Sequence, residues 1–454
     1  MTTRMRSPSA LLLLVFVLAA CSTSSSPSAS AVTSTGPSGG AINLDFSTVG
    51  APVESGLGAP VGPAGAFTVG VFPVFDESLW WVTDELGYLK DINMTLSEVK
   101  AFDGDPKVLE ATAVKGVDLG GGSVEGVVPL AETLTNIRMV LYQDSWKGFA
   151  FMVRPGELKT FDEILKDVGD EAEAAKQTAA QFKGKNVIAN LGIGHDATIK
   201  AALSLAGLTM DDITITDLPT IEGATAFLRG EGDIYLGDLP SRFRVAEAGN
   251  VAMLSAEQIG PDAVAYVGFF AREDWITENE DLLLRLLGAW YRVADLLRSD
   301  EADKALTIMF THVNEESGAS FDLATAQWVN TDISPWFTFE ETGEQIFTPG
   351  GKWDLTARIK YQISQYEQQG TLKPGTVTPE KFSVAQQLYE KLVALKDATE
   401  KDLSEAADLY NAGGVADAQA VRDLIEQAKW NWDIRNYVDS AALAAEALAA
   451  AKKT

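Results

Sequence analysis

Histidine and cysteine are almost missing from this chain, which carries only His195, His312 and Cys21. One cysteine excludes an intramolecular disulfide. Zinc sites and Cys–His nucleophiles each need a matched set of residues, and none is available here. Basic charge is also scarce: 36 Lys and Arg stand against 64 Asp and Glu, a formal net charge of −28. Nucleic acid and anionic lipid surfaces bind basic patches, so both are poor partners for such a chain. The acidity is read as solubility or adaptation to salt. No Walker or dinucleotide-binding fingerprint follows a strand-like run. Carboxylates are plentiful enough for a catalytic pair, but no pair is singled out.

What is present is a repeat. Residues 67–122 open on a β-forming run from Phe67 to Phe72, followed by a Pro73 loop and a helical pattern ending at Gly87. A period-two strand follows at 94–99, then a Gly104-Asp105 loop, a helix through Ala111-Thr112-Ala113 and a short strand reaching Gly120. Residues 186–238 repeat the order. Gly87 corresponds to Gly207, Ala111-Thr112-Ala113 to Ala224-Thr225-Ala226, and Gly120 to Gly237. Two βαβαβ units at this spacing predict two parallel sheets and hence two α/β lobes. One sheet built from both halves is the alternative.

At the start of the chain, Arg4 and Arg6 precede an apolar run over 10–20, the pattern of a secretory signal over 1–20. The run is too short for a spanning helix of about 20 residues. Leu18-Ala19-Ala20-Cys21 resembles the lipobox of bacterial lipoproteins. That resemblance implies that Cys21 is diacylated and tethers the mature chain to a membrane it does not span. Loss of Arg4 and Arg6 with the signal would take the net charge from −28 to −30. Residues 21–66 are rich in Ser, Gly, Ala and Pro, without apolar periodicity, and read as a flexible tether.

Extended runs at 137–142 and 149–153, with a loop between them, and at 251–254 and 264–271 supply two crossings between lobes, as a hinge requires. Lobe 1 is assigned to 67–153 plus 254–377, and lobe 2 to 154–253. A strongly apolar helix over 281–297 turns Leu282, Leu283, Leu286, Leu287, Trp290 and Val293 towards a core. Residues 378–454 form a helical extension. One stripe is Val384, Leu388, Leu392 and Leu395, and a second is Val421, Leu424, Ile425, Ala428 and Trp432. A final alanine-rich helix is expected to be capped by Asp439.

The combination resembles the substrate-binding proteins of ABC importers, in the group that includes nitrate, taurine, alkanesulfonate and thiamine-precursor binders. It is carried by residues 80–88 with Glu85-Leu86-Gly87-Tyr88, by Lys115-Gly116-Val117-Asp118, and by 192–198 and 230–240, over a span of roughly 67–370. The resemblance implies a two-lobed periplasmic-binding-protein (Venus-flytrap, type II-like) α/β fold, here with a C-terminal α-helical extension. It also implies capture of a small molecule between the lobes, outside the cytoplasm, and its delivery to an ABC permease; the chain is expected to be a monomer without catalytic activity, metal or cofactor. Two features depart from the group. Its serine-rich loop is here Gly192-Ile193-Gly194-His195-Asp196, which weakens an anion-binding role at that loop, and the C-terminal extension is extra.

In parallel α/β lobes, ligands bind where strand ends lead into helix N-termini. Those loops hold Phe75, Asp76, Ser78, Asp105, Ser123, Asp144, Trp146, Gly194, His195, Asp196, Glu222 and Asp238 as candidate ligand contacts. Ser78, Asp105 and Asp196 are equally good helix caps. The loops carry Asp76, Glu77, Asp105, Glu125, Asp144, Asp196, Glu222 and Asp238 against Lys147, so the cleft is expected to be net negative. A neutral or cationic nitrogen compound, an aminopyrimidine or an amine, suits it, with Phe75 or Trp146 against its face. An anion of the nitrate, sulfonate or taurine type is the alternative if Arg242 and Arg244 turn inward. A ligand-presenting sensor subunit is a further alternative. A pyrimidine-synthesising enzyme is a distant one, because the histidine-bearing motifs of those enzymes are missing.

Overall fold

The computed structural model describes residues 40–47, 53–191 and 194–453. The proposed signal and Cys21 lie outside these residues. Among the described residues no helix is long and apolar enough to cross a membrane.

Among the described residues ten strands form two five-stranded sheets. The first contains β1 (Gly65–Val71), β2 (Met94–Ala101), β3 (Leu119–Ser123), β4 (Ile137–Trp146) and β10 (Ala265–Arg272), in the order β2-β1-β3-β10-β4. The second contains β5 (Ala150–Val153), β6 (Asn186–Ala189), β7 (Thr214–Asp217), β8 (Ile234–Gly237) and β9 (Val251–Ser255), in the order β7-β6-β8-β5-β9. This is the two-lobed α/β fold of periplasmic binding proteins. The chain passes from the first sheet to the second between Trp146 and Ala150, and returns between Ser255 and Ala265.

The sheets are mixed rather than parallel, which corrects the reading from the repeat. β1 runs parallel to β2 and β3, and β6 parallel to β7 and β8. β10 is antiparallel to both β3 and β4, and β5 is antiparallel to both β8 and β9. The repeat spans only the parallel trio of each sheet. Apolar alternation marks a strand but carries no direction, so the inserted strands escape it. β10 meets β4 closely at Gly268, where a Cβ would lie 2.0 Å from the Leu141 carbonyl oxygen. β4 also runs on to Trp146, so Asp144 and Trp146 sit on a buried strand rather than in a hinge loop.

The helix Glu280–Leu297 lies under the first sheet and is buried along nearly its whole length. Trp80 packs on Trp290 and Phe269, each at 5.5 Å between ring centroids. Three charged residues are buried on this apolar helix, and each is paired. Arg292 meets Asp91 at 2.7 Å, Arg285 meets Asp439 at 2.9 Å, and Asp295 accepts from Arg435 Nη2 at 3.0 Å. Burial of such charges is tolerated only with partners of this quality.

The last two pairs fasten the C-terminal helices Ala385–Ala412, Ala418–Asp433 and Tyr437–Ala451 to the body. The final helix begins earlier than expected. Asn436 is its N-cap, and Asp439 sits inside the first turn, where it is drawn to Arg285 rather than to backbone N–H groups. The described residues 40–47 and 53–66 are laid on the body. Ile42 exchanges two hydrogen bonds with the Asn411 side chain, at 2.8 and 2.9 Å. Phe46 packs edge-on against Trp432 at 5.1 Å. The alternation of Ile42, Leu44 and Phe46, hidden in a Ser/Gly-rich context, gives this stretch an apolar side to dock.

Candidate functional site

The parallel strands of both sheets deliver loops to one cleft. β1 ends in a tight turn over Phe75–Glu77, Asp105 opens the helix after β2, Ser123 closes β3, and Asp238 follows β8. Asp76, Glu77, Asp105, Ser123 and Asp238, together with Phe72, Val74, Trp146 and Phe149, line a cavity with an empty volume of about 360 Å³. Its wall takes Asp76, Glu77, Asp105 and Ser123 from the first sheet and Asp238 from the second. Ala265 and Val267 of β10 complete it.

Its chemistry is that of buried carboxyls. Asp105 Oδ2 accepts from the Ser123 N–H at 2.8 Å and the Ser123 hydroxyl at 2.9 Å. Burial still pushes Asp105 up to about 6 against these bonds. Glu77 Oε2 accepts from the Phe72 N–H at 2.6 Å, and Glu77 lies so close to Gly121 that a Cβ there would stand 2.1 Å from that oxygen. Burial and then the neighbouring Asp76 hold Glu77 well above the usual carboxylate range. Asp76 is raised in the same way, by burial and then by Asp144. Asp144, behind the wall, accepts from the Ser334 hydroxyl and is pushed by burial to about 7. Asp238 is pushed by burial to about 6, partly offset by the Ser241 N–H and by Arg242. Asp76 Oδ1, Asp144 Oδ1 and Asp238 Oδ1 are buried without a hydrogen-bond partner. Buried acceptors are rarely left so, and each costs about 1–3 kcal/mol until a donor arrives.

Counter-charge is short. Among the described residues no lysine or arginine lines the cavity. Arg242 places its guanidinium over the Trp328 ring, 5.6 Å from the centroid, and Arg244 is exposed. Arg242 still acts on Asp238 through space without lining the cavity itself. Nor do all the loop acids add to the charge. Glu125 is buried but neutralised by Arg358 at 2.7 Å, and Asp196 pairs with Lys200 at 3.0 Å while accepting from the Tyr366 hydroxyl.

Of the candidate contacts, Asp76, Asp105, Ser123, Trp146 and Asp238 are brought together on the wall. Phe75 instead packs against Phe321 at 4.9 Å, and the Ser78 hydroxyl donates back to the Phe75 carbonyl. His195 is buried edge-on against Phe149 at 4.9 Å, with Nδ1 accepting from the Asn190 N–H at 3.0 Å. Burial pulls it down to about 3, so the imidazole is neutral, and Nε2 has no partner. Gly194, in a left-handed conformation at φ 82°, sits between His195 and the Ser123–Glu125 turn, where a Cβ would lie 3.2 Å from Glu125. Glu222 is exposed and lines an outer mouth of the cleft. Glu77, Phe72, Val74 and Phe149 join the wall beyond the contacts expected from the sequence. The run Asp76-Glu77 was the available signal for Glu77, since a tight turn can direct adjacent side chains into one space. Among the described residues no group of three or more His, Cys, Asp or Glu is arranged to hold a metal ion.

Comparison with known proteins supports the same fold. Residues 161–301 match the family model described as NMT1/THI5 like. No curated protein sequence matches the chain. Among solved structures it is similar to the aliphatic sulphonate binding protein SsuA of Escherichia coli, with a TM-score of 0.55 and 15% identity over 72% of this chain and 99% of that one. The alkanesulfonate-binding SsuA of Xanthomonas axonopodis pv. citri gives 0.54 at 16% identity, over 71% of this chain and 99% of that one. The nitrate-binding NrtA of Synechocystis gives 0.50 at 14%, over 72% and 88%. These neighbours are named as binding proteins rather than catalysts. The resemblance read from the sequence holds: the chain has the fold of these periplasmic binding proteins and, over residues 161–301, matches the NMT1/THI5 like model.

Proposed function

We propose that this protein is a lipid-anchored, extracytoplasmic solute-binding protein. It captures a small nitrogen compound between lobe 1 (67–153 plus 254–377) and lobe 2 (154–253) and hands it to an ABC import permease. The carrying observation is the pair of unpartnered carboxyl oxygens, Asp76 Oδ1 and Asp238 Oδ1, on a wall shared by the two sheets. A cationic or N–H-bearing head supplies the donors these oxygens lack, and Trp146 offers an aromatic face beside them. An oxyanion supplies none and would meet four lining acids, Asp76, Glu77, Asp105 and Asp238.

The names of the structural neighbours favour the second reading, an anion of the sulfonate or nitrate type. Calorimetric titration of the full chain with an aminopyrimidine, an alkylamine, taurine, an alkanesulfonate and nitrate separates the two. Binding of a nitrogen compound that is lost in Asp238→Asn supports the proposal. Tight binding of an anion alone refutes it.

A further inference from the structure

The inner cavity adjoins a larger space. Phe72, Val74 and Asp238 line both the cavity and an outer mouth with an empty volume of about 1000 Å³. The mouth lies between the loops after β1 and β2 and the segments 219–222 and 238–241 that follow β7 and β8. Its walls include the apolar Pro73, Phe102, Pro219 and Ile221, and Ile221 is 54% exposed. The same walls carry three exposed acids, Asp103, Glu222 and Glu316. Asp103 is occupied by an ion pair with Lys107. Among the described residues no lysine or arginine lines this mouth.

Resting on the nitrogen-compound reading, we infer that the ligand is elongated and carries two cationic nitrogens joined by an apolar linker. One head sits in the inner cavity between Asp76 and Asp238, the linker lies on the apolar mouth, and the second head reaches Glu222 and Glu316. Acidic rims alone would be only a solvated surface. Here the junction residue Asp238 is 3% exposed and leaves Oδ1 without a partner where the two spaces meet. A single compact head would fill the inner cavity and leave the contiguous mouth empty. A purely apolar tail would cover the linker walls but bring nothing to the outer carboxylates.

The test compares butylamine, hexylamine and octylamine with the α,ω-diamines of the same chain lengths, titrated into the full chain at low and high salt. At the best length the diamine should bind more tightly than the monoamine by about fivefold, the range of a partly exposed ion pair. That preference should shrink at high salt. In the double variant Glu222→Gln/Glu316→Gln the ratio of diamine to monoamine affinity should fall towards one. Equal affinities in the wild type, or a preference that survives in the double variant, would overturn the two-headed ligand while leaving a cationic ligand in place. No binding by any amine alongside binding of an alkanesulfonate would overturn both.

Discussion

Asp105 Oδ2 takes two hydrogen bonds from Ser123, 2.8 Å from its N–H and 2.9 Å from its hydroxyl, and so ties the start of one helix to the end of β3 inside the cleft. The same hydroxyl accepts from the Gly126 N–H at 3.0 Å and caps the next turn. Ser123→Ala therefore removes both a cap and a donor to a buried carboxyl. A loss of about 1–3 kcal/mol is expected in urea denaturation. A loss no greater than that of an exposed serine would mean the contact is slack.

The buried carboxyls give the ligand-free protein a distinctive pH dependence. Asp105 and Asp238 are raised to about 6 and Asp144 to about 7, above the value of about 3.9 expected when unfolded. Between those values the unfolded chain has released protons that the native state keeps, so stability falls as pH rises from about 4 to about 7. Asp144→Asn removes one contributor, on the order of a few kcal/mol at most, and should flatten the fall. Denaturation midpoints at about pH 5 and pH 7.5 measure it, and a variant as steep as the wild type would contradict the assignment.

Arg435 is the rivet of the C-terminal helices. It is buried and donates to both Asp295 and Glu340. Arg435→Met leaves Asp295 buried without its cation, and a cost of about 3–5 kcal/mol is expected. Arg435→Met/Asp295→Leu, which removes the uncompensated charge, should recover much of it. Absence of recovery would place the cost in packing rather than charge.

Much of the site could be read from the chain because the loops after parallel strands are predictable places. Gly87 and Gly207 end equivalent helices, and from that register Asp76, Asp105, Ser123 and Asp238 fall at strand ends. What stayed hidden depends on distance or direction. The Glu125–Arg358 pair joins residues 233 apart in sequence, so nothing local marked Glu125 as neutralised. Asp196 sits in the first turn of its helix rather than capping it, since Gly194 is the N-cap, and its carboxylate turns to Lys200 and Tyr366 outside the cavity wall. Ala265 and Val267 reach the wall from β10, an antiparallel strand that the repeat does not contain.

The central claim, that the cavity's carboxyls receive a cation, is tested most directly by counting protons on binding. Calorimetry of the tightest-binding alkylamine at about pH 6.5, in two buffers of different ionisation enthalpy, gives that number. Such amines stay fully charged there, with pKa values near 10 like the lysine ammonium, so any proton exchanged belongs to the protein. An entering cation lowers the pKa of the lining carboxyls that burial has raised, Asp76, Asp105 and Asp238, and draws off the protons they still hold, so net proton release is predicted. Zero exchange or proton uptake would contradict the account.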